Sequence, residues 1–75
     1  MQFFEGQHVI KREGYPFPGV VEVGFRTWGD KLRYVVNFVD RDGLGTPTGL
    51  LHIFEPSQLA ADERFDRDGK LIAQP

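Results

Sequence analysis

The residue best placed to do chemistry is His52, within the sequence GLLHIF near the end of a 75-residue chain. Side chains alternate faces along a strand, so Leu51 and Ile53 point one way. His52 then points the other way, together with Leu50 and Phe54. If Leu51 and Ile53 fill a core, the imidazole stands outside it between two large apolar side chains. Small soluble proteins rarely expose such a patch, so the pattern predicts a surface buried against a second copy or a ligand.

Two roles are open for His52. It is either an ordinary interface histidine, hydrogen-bonded to a neighbour, or a binding residue that is repeated by symmetry. Closed oligomers place equivalent residues around an axis, so in the second case several imidazoles converge. Converging imidazoles resist simultaneous protonation and can bind an anion or a carboxamide.

Lys11 is the second candidate and lies on the first predicted strand, with Arg12 pointing to the opposite face. One interpretation is a solvated lysine at a strand edge, which discourages pairing between sheet edges. In the other, copies of Lys11 cluster at the mouth of a pore and attract ligands that carry phosphate or carboxylate groups. The other histidine, His8, precedes Lys11 on the same strand and is predicted to be a surface residue.

Other kinds of catalytic or metal site find no support in the sequence. The chain has no cysteine, which excludes thiol nucleophiles, disulfides and thiolate metal sites. No serine lies in a nucleophile-elbow setting. Residues 40–43 and 66–69 both have the sequence Asp-Arg-Asp-Gly, like the start of a calcium loop, but neither has the closing glutamate that such a loop needs. We predict two solvated turns and no metal site.

Size and charge limit the possible function classes. A chain of 75 residues forms one domain with a thin core, and without disulfides or metals such chains usually need a partner subunit. The net charge of −2 argues against a broad nucleic-acid-binding face. The first residues, MQFFE, resemble neither a signal peptide nor a membrane span, so we expect a cytoplasmic protein with no membrane partner.

Glycine and proline interrupt the chain about every eight to twelve residues, and the runs between them favour β-structure. This pattern predicts an all-β fold, a small SH3-like barrel of about five strands. The segments predicted as the first four strands are residues 6–12, 20–27, 32–39 and a run that begins at Gly49. The second and third strands form the most strongly indicated hairpin. Along the second strand, alternation puts Val21, Val23 and Phe25 on one face.

The remaining segments are predicted as loops, one turn and a tail. Residues 13–19 form an ordered loop, because two prolines and two glycines cannot continue a β-ladder. Residues 56–59 predict a short 3₁₀ turn near the C-terminal end, with Leu59 on the core. The barrel is assigned to residues 1–62, and residues 63–75 form a charged tail with a frayed end. Three apolar residues of this tail suit a last strand or packing on the barrel: Phe65, Leu71 and Ile72.

A set of mainly glycine and aliphatic residues has a distinctive spacing along the chain: Gly6, Val9, Lys11, Gly14, Gly19, Thr27, Tyr34, Val36, Gly49, Ile53 and Leu59. Their spacing resembles that of the plasmid-borne type II dihydrofolate reductases, the trimethoprim-insensitive enzymes of integron cassettes. The match runs without a gap from Gly6 to about Val36 and resumes at Gly49 after a longer loop.

The resemblance implies a homotetramer of SH3-like barrels around one central pore. NADPH and dihydrofolate, or a related pterin, meet in that pore, and catalysis is mainly their juxtaposition for hydride transfer. By position, Lys11 matches the pore lysine of the family. The family's Gln-Ile-Tyr segment falls on His52, Ile53 and Phe54, the implied catalytic residues, and the valine before it falls on Leu51. The implied cofactor-binding residues are Lys11, Leu51, His52 and Ile53.

Two of these positions depart from the family. Glutamine presents a donor and an acceptor together, whereas neutral histidine presents one of each at different ring positions. Phe54 keeps the ring of the tyrosine and loses its hydroxyl. A lost contact in a desolvated site is worth about 1–3 kcal/mol, so His52 and Phe54 predict weaker ligand binding. Two functions therefore stay open: a reductase, or a non-catalytic SH3-like assembly or binding module of a mobile gene cassette or phage-type protein.

Overall fold

A computed structural model of the chain describes residues 2–40, 45–66 and 68–72. Its elements, in chain order, are β1 (His8–Lys11), β2 (Pro18–Arg26), β3 (Leu32–Val39), β4 (Pro47–Phe54), the 3₁₀ turn η1 (Pro56–Gln58) and β5 (Leu59–Ala61). The strands form one antiparallel sheet in the order β4-β3-β2-β1-β5. The predicted all-β class, the five strands and the 3₁₀ turn near the C-terminal end are confirmed. In the part of the chain described, no helix has the length and hydropathy to cross a membrane.

One hydrophobic cluster takes residues from all five strands. Phe54 of β4 and Leu59 of β5 both belong to it, although these strands lie at opposite edges of the sheet. The sheet therefore curls until its two edges approach each other, which gives it an inner and an outer side. The other buried members of the cluster are Phe3, Val9, Val21, Tyr34 and Val36. The Phe3 backbone N–H donates a buried hydrogen bond of 2.9 Å to the Tyr34 hydroxyl and ties the N-terminal segment to β3.

A β-bulge at Glu22 changes which side of β2 faces the core. Val21 lies opposite Val36, but the next pair joins Val23 to Val35, so Glu22 has no partner of its own. Such an extra residue reverses the alternation beyond it. Val21 is buried, whereas Val23 and Phe25 are exposed on the outer side. The prediction that Val21, Val23 and Phe25 share one face is therefore wrong.

The pairing of β4 with β3 decides which residues of β4 face the core. Phe54 lies opposite the buried Tyr34, and His52 lies opposite the buried Val36. Residues directly opposite each other share a face, so Phe54 and His52 are on the inner side. Phe54 is only 7% exposed.

Leu51 and Ile53 lie on the outer side of β4, where they are 57% and 61% exposed. The prediction that Leu51 and Ile53 face the core while Leu50, His52 and Phe54 face outward is wrong. Both faces of β4 are apolar, so the alternation alone could not tell which face is inside, and the aromatic ring of Phe54 fills the core instead.

His8 is also placed differently from the prediction. It is buried, with 9% of its surface exposed, because Phe65 of the tail lies against its ring. The expected packing of Phe65 on the barrel is thus confirmed, whereas Leu71 and Ile72 remain largely exposed. The turn predicted at 66–69 is present, with the Gly69 N–H bonded to the Asp66 carbonyl. Most of the turn predicted at 40–43 lies outside the described residues.

We predict that Gly19→Ala destabilises the fold, because β1, β2 and β3 approach most closely there. A methyl group at Gly19 would overlap a methyl of Val36 and would lie 3.1 Å from the Asn37 carbonyl oxygen. Overpacking of this kind lowers the free energy of unfolding by about 1–3 kcal/mol. Gly29→Ala is the matched control, because the nearest atom to a methyl at Gly29 is 4.0 Å away. Urea unfolding measures both variants, and equal midpoints would contradict this packing.

Candidate functional site

An apolar surface on the outer side of the sheet crosses three strands. Val23, Val35 and Ile53 lie side by side on β2, β3 and β4, since Val35 pairs with both of the other two. Leu51 and Phe25 extend this row in the two directions along the strands. We call these five residues the outer apolar face. In a single chain these apolar side chains contact water, and such exposure is typical of a surface that binds a partner.

Polar pairs border the outer apolar face at both ends. On one side the Asn37 Nδ2 donates to the Glu22 Oε1 at 2.9 Å, and the Gly49 N–H donates to the Asn37 Oδ1 at 3.0 Å. On the other side Arg33 forms an ion pair of 3.2 Å with Glu55. An apolar centre with a polar rim is the usual anatomy of a protein interface.

The edge strand β4 adds an uncovered backbone to this surface. It pairs with β3 on one side only, and seven of its eight residues are exposed. The side of an edge strand away from the sheet presents N–H and C=O groups that can pair with another chain. The segment that carries Leu51, His52 and Ile53 is therefore accessible both through its side chains and through its backbone.

His52 stands on the inner side of β4, at the margin of the core, and its ring is exposed. Its ring centroid is 5.0 Å from that of Phe38 and 6.1 Å from that of Phe54. Phe38 in turn lies 5.4 Å from Phe17 of the loop between β1 and β2. His52 makes no hydrogen bond or ion pair with another described residue, so both ring nitrogens are available to a ligand.

Phe54 lies on the core side of this site. It is buried against the core and lies 6.0 Å from Phe38, centroid to centroid. Its ring helps to hold Phe38 and His52 in place and presents little surface of its own to a ligand.

Lys11 lies elsewhere in the sheet. It pairs with Leu59 of β5, and β2 and β3 separate its strand from β4. It shares a face with the buried Val9, two residues before it, so it points to the inner side. Its ammonium lies above Gly14, 3.7 Å from where a methyl would stand, and no ion pair is found for it among the described residues. His52 and Ile53 thus lie on one strand, and two further strands separate that strand from the strand of Lys11.

The sequence does not predict Val23 and Phe25 as part of this surface, because the bulge at Glu22 turns them outward. One signal for the bulge is Gly24, a glycine in the interior of an apolar strand, where it often marks an irregularity. Gly24 lies opposite Tyr34, whose large side chain occupies the space on the inner side.

Within residues 2–40, 45–66 and 68–72, no group of three or more histidine, aspartate or glutamate side chains could hold a metal ion. Comparisons of the chain with protein-family models, with curated proteins and with solved structures find no match.

Proposed function

We propose that the chain is one subunit of a homo-oligomer, a tetramer by the resemblance to type II dihydrofolate reductases, that binds NADPH and reduces dihydrofolate or a related pterin. The observation that carries this proposal is the exposure of Leu51, His52 and Ile53 on an edge strand. When bound, NADPH supplies a hydride that adds, together with a proton from solvent, to a C=N bond of the pterin. The protein aligns the two rings rather than donating groups to the reaction.

The outer apolar face supports self-association as the first step. A second copy that packs on the row Val23–Val35–Ile53 would remove three apolar side chains of each copy from water. With a two-fold axis along that row, Arg33 of one copy would lie over Asn37 of the other, next to the Glu22 that Asn37 binds. The charges at the rim are thus compatible with an isologous contact.

Lys11 supports an anionic ligand. NADPH carries phosphate groups and dihydrofolate carries carboxylates, and an ammonium on a flexible stem binds both kinds of anion. Because Lys11 has no ion pair within the described chain, binding would not have to break one first. Several copies of Lys11 around one pore would add their attraction.

His52 supports ligand binding by hydrogen bonds. Its exposed imidazole, held against Phe38, can donate from one nitrogen and accept at the other. In an oligomer whose copies meet near β4, the copies of His52 would line a shared cavity and orient the carboxamide of a nicotinamide, while Ile53, on the outer side, is buried in the contact between copies.

A second candidate function is a non-catalytic assembly or binding module with the same barrel and the same interface. The burial of Phe54 favours it, because the residue at the position of the family's tyrosine is turned into the core and offers little to a ligand. The reductase requires self-association, whereas a binding module does not, and the two candidates differ in whether the protein binds NADPH.

We predict that the purified protein binds NADPH in isothermal titration calorimetry and that Lys11→Met weakens this binding at least about tenfold, since a contact to a charged group is worth about 1.5–3 kcal/mol. Arg12→Met is the matched control, because it removes a positive charge from the adjacent residue on the opposite face. The Arg12→Met affinity should stay within about threefold of wild type.

The outcomes separate the two candidates. Binding that depends on Lys11, followed by NADPH oxidation on addition of dihydrofolate, supports the reductase. A folded oligomer that shows no heat with NADPH would rule the reductase out and leave the assembly module.

We predict that Ile53→Lys dissociates the oligomer, because it places a charge in the centre of the outer apolar face, where burial without a partner costs several kcal/mol. Light scattering should report a multiple of 8.6 kDa for wild type and 8.6 kDa for this variant. Leu50→Lys is the matched control, since Leu50 is equally exposed on the same strand but points to the other side. A monomeric wild type, or an Ile53→Lys variant of unchanged mass, would contradict the proposed interface.

A further inference from the structure

The tail folds back on the barrel as a small hairpin, which we define as residues 62–66 and 68–72 and call the tail hairpin. Phe65 and Leu71 form a β-bridge, and the Ile72 N–H donates to the Arg64 carbonyl at 2.7 Å. The Asp62 N–H donates to the His8 carbonyl at 2.9 Å and anchors the start of the tail hairpin to β1. The rest of its attachment depends on side chains.

The His8 ring is the centre of that attachment. It lies parallel to the Phe65 ring, with 3.7 Å between the centroids and 8° between the planes. Gly45, from the segment before β4, closes the site at the ring edge, since a methyl there would be only 2.8 Å from the His8 Cε1. Gly69 of the tail hairpin lies near the His8 Nε2. The tail hairpin and the segment before β4 thus enclose one imidazole.

This enclosure suits the neutral ring and not the charged one. The His8 Nδ1 is buried and has no hydrogen-bond partner among the described residues. In the imidazolium both nitrogens carry a proton to donate, so protonation would leave a buried donor and a buried charge without a partner.

The charged groups around His8 do not compensate for its burial. Burial lowers the pKa of His8 below its usual 6.5, the carboxylate of Asp62 opposes this change, and the guanidinium of Arg64 adds to it. Arg64 also binds Asp62 at 2.7 Å and so neutralises much of its charge. Glu63 and Asp66 line the adjoining cavity. Gly45, the contact on the other side, has no titratable group.

Asp62 stays ionised over the range in which His8 titrates. Although burial alone would raise the pKa of this carboxyl, its hydrogen bonds with Arg64 hold the pKa below the usual 3.8. The Asp62–Arg64 pair therefore opens only in stronger acid, and the two events are separable by pH.

We propose that the tail hairpin is a pH-sensitive clasp: protonation of His8 releases Phe65 and opens the cavity of about 330 Å³ between the tail and the barrel. Phe65, which is buried in the clasped state, then becomes accessible beside Phe4 and Ile72, which also line this cavity. The clasp lies on the outer side of β1 and is independent of the proposed reductase.

The direction of the effect follows from the two states of the ring. In the released tail His8 takes up a proton near its usual pKa of 6.5, whereas in the clasped state it resists protonation to lower pH. Clasping is therefore fully favoured above that pH and weakens as the pH falls. The equilibrium constant for release rises by up to about tenfold per pH unit until the lowered pKa of the clasped state is reached.

The test is a titration of wild-type protein followed by NMR, from about pH 8 to about pH 5. We expect the ring signals of His8 to titrate below 6.5. The amide signals of Phe65, Leu71 and Ile72 should move toward disordered values with the same midpoint, while those of Val21 and Val36 stay constant. A His8 that titrates at or above 6.5, or tail signals that do not move with it, would overturn the proposal.

Two variants isolate His8 from other acid effects. His8→Phe keeps a ring to stack on Phe65 but cannot be protonated, so its tail signals should stay constant throughout the titration. His52→Gln removes the other histidine and should leave the transition unchanged. A transition that persists in His8→Phe, or disappears in His52→Gln, would refute the clasp. If His8→Phe does not fold, the test rests on whether the His8 ring signals and the tail amide signals of the wild-type protein share one midpoint.

Discussion

The single extra residue at Glu22 determines how this small chain uses its apolar side chains. Before the bulge, Val21 of β2 packs in the core; after it, Val23 and Phe25 face outward and Gly24 lies opposite the buried Tyr34. In this nine-residue strand, the first half contributes side chains to the core and the second half contributes side chains to the outer apolar face. The core stays thin, and apolar area that would have enlarged it is available to a partner.

The class of the fold could be predicted from the sequence, but the sides of its strands could not. Turn residues and β-branched runs locate the hairpin of β2 and β3 and the 3₁₀ turn, because these signals are local. The inner side of β4 depends on its register with β3, and both of its faces are apolar, so alternation alone favours neither. The bulge at Glu22 is a further non-local choice, since it exists only relative to Val35 and Val36.

The candidate site was predictable in part for the same reason. The apolar context of His52 on one strand predicts an exposed side chain, and the structure leaves it exposed, whereas Ile53, expected in the core, is exposed instead. Lys11 is on the expected strand, but β2 and β3 separate that strand from the strand of His52, and this order of strands is not a local property of the sequence. His8 was assigned to the surface because its partner, Phe65, lies 57 positions further along the chain, and stacking over that distance has no sequence signature.

Because one face of β4 belongs to the core and the other to the surface, substitutions and length changes in this strand have different effects on the protein. Substitutions at Leu51 or Ile53 alter the surface and leave Phe54 in the core. The surface of β4 can therefore change by single substitutions without loss of core packing. Insertion or deletion of one residue within β4 would instead exchange its two faces, burying what is now exposed and exposing Phe54. We expect length changes between homologues to fall in the segments beside β4 and not within it.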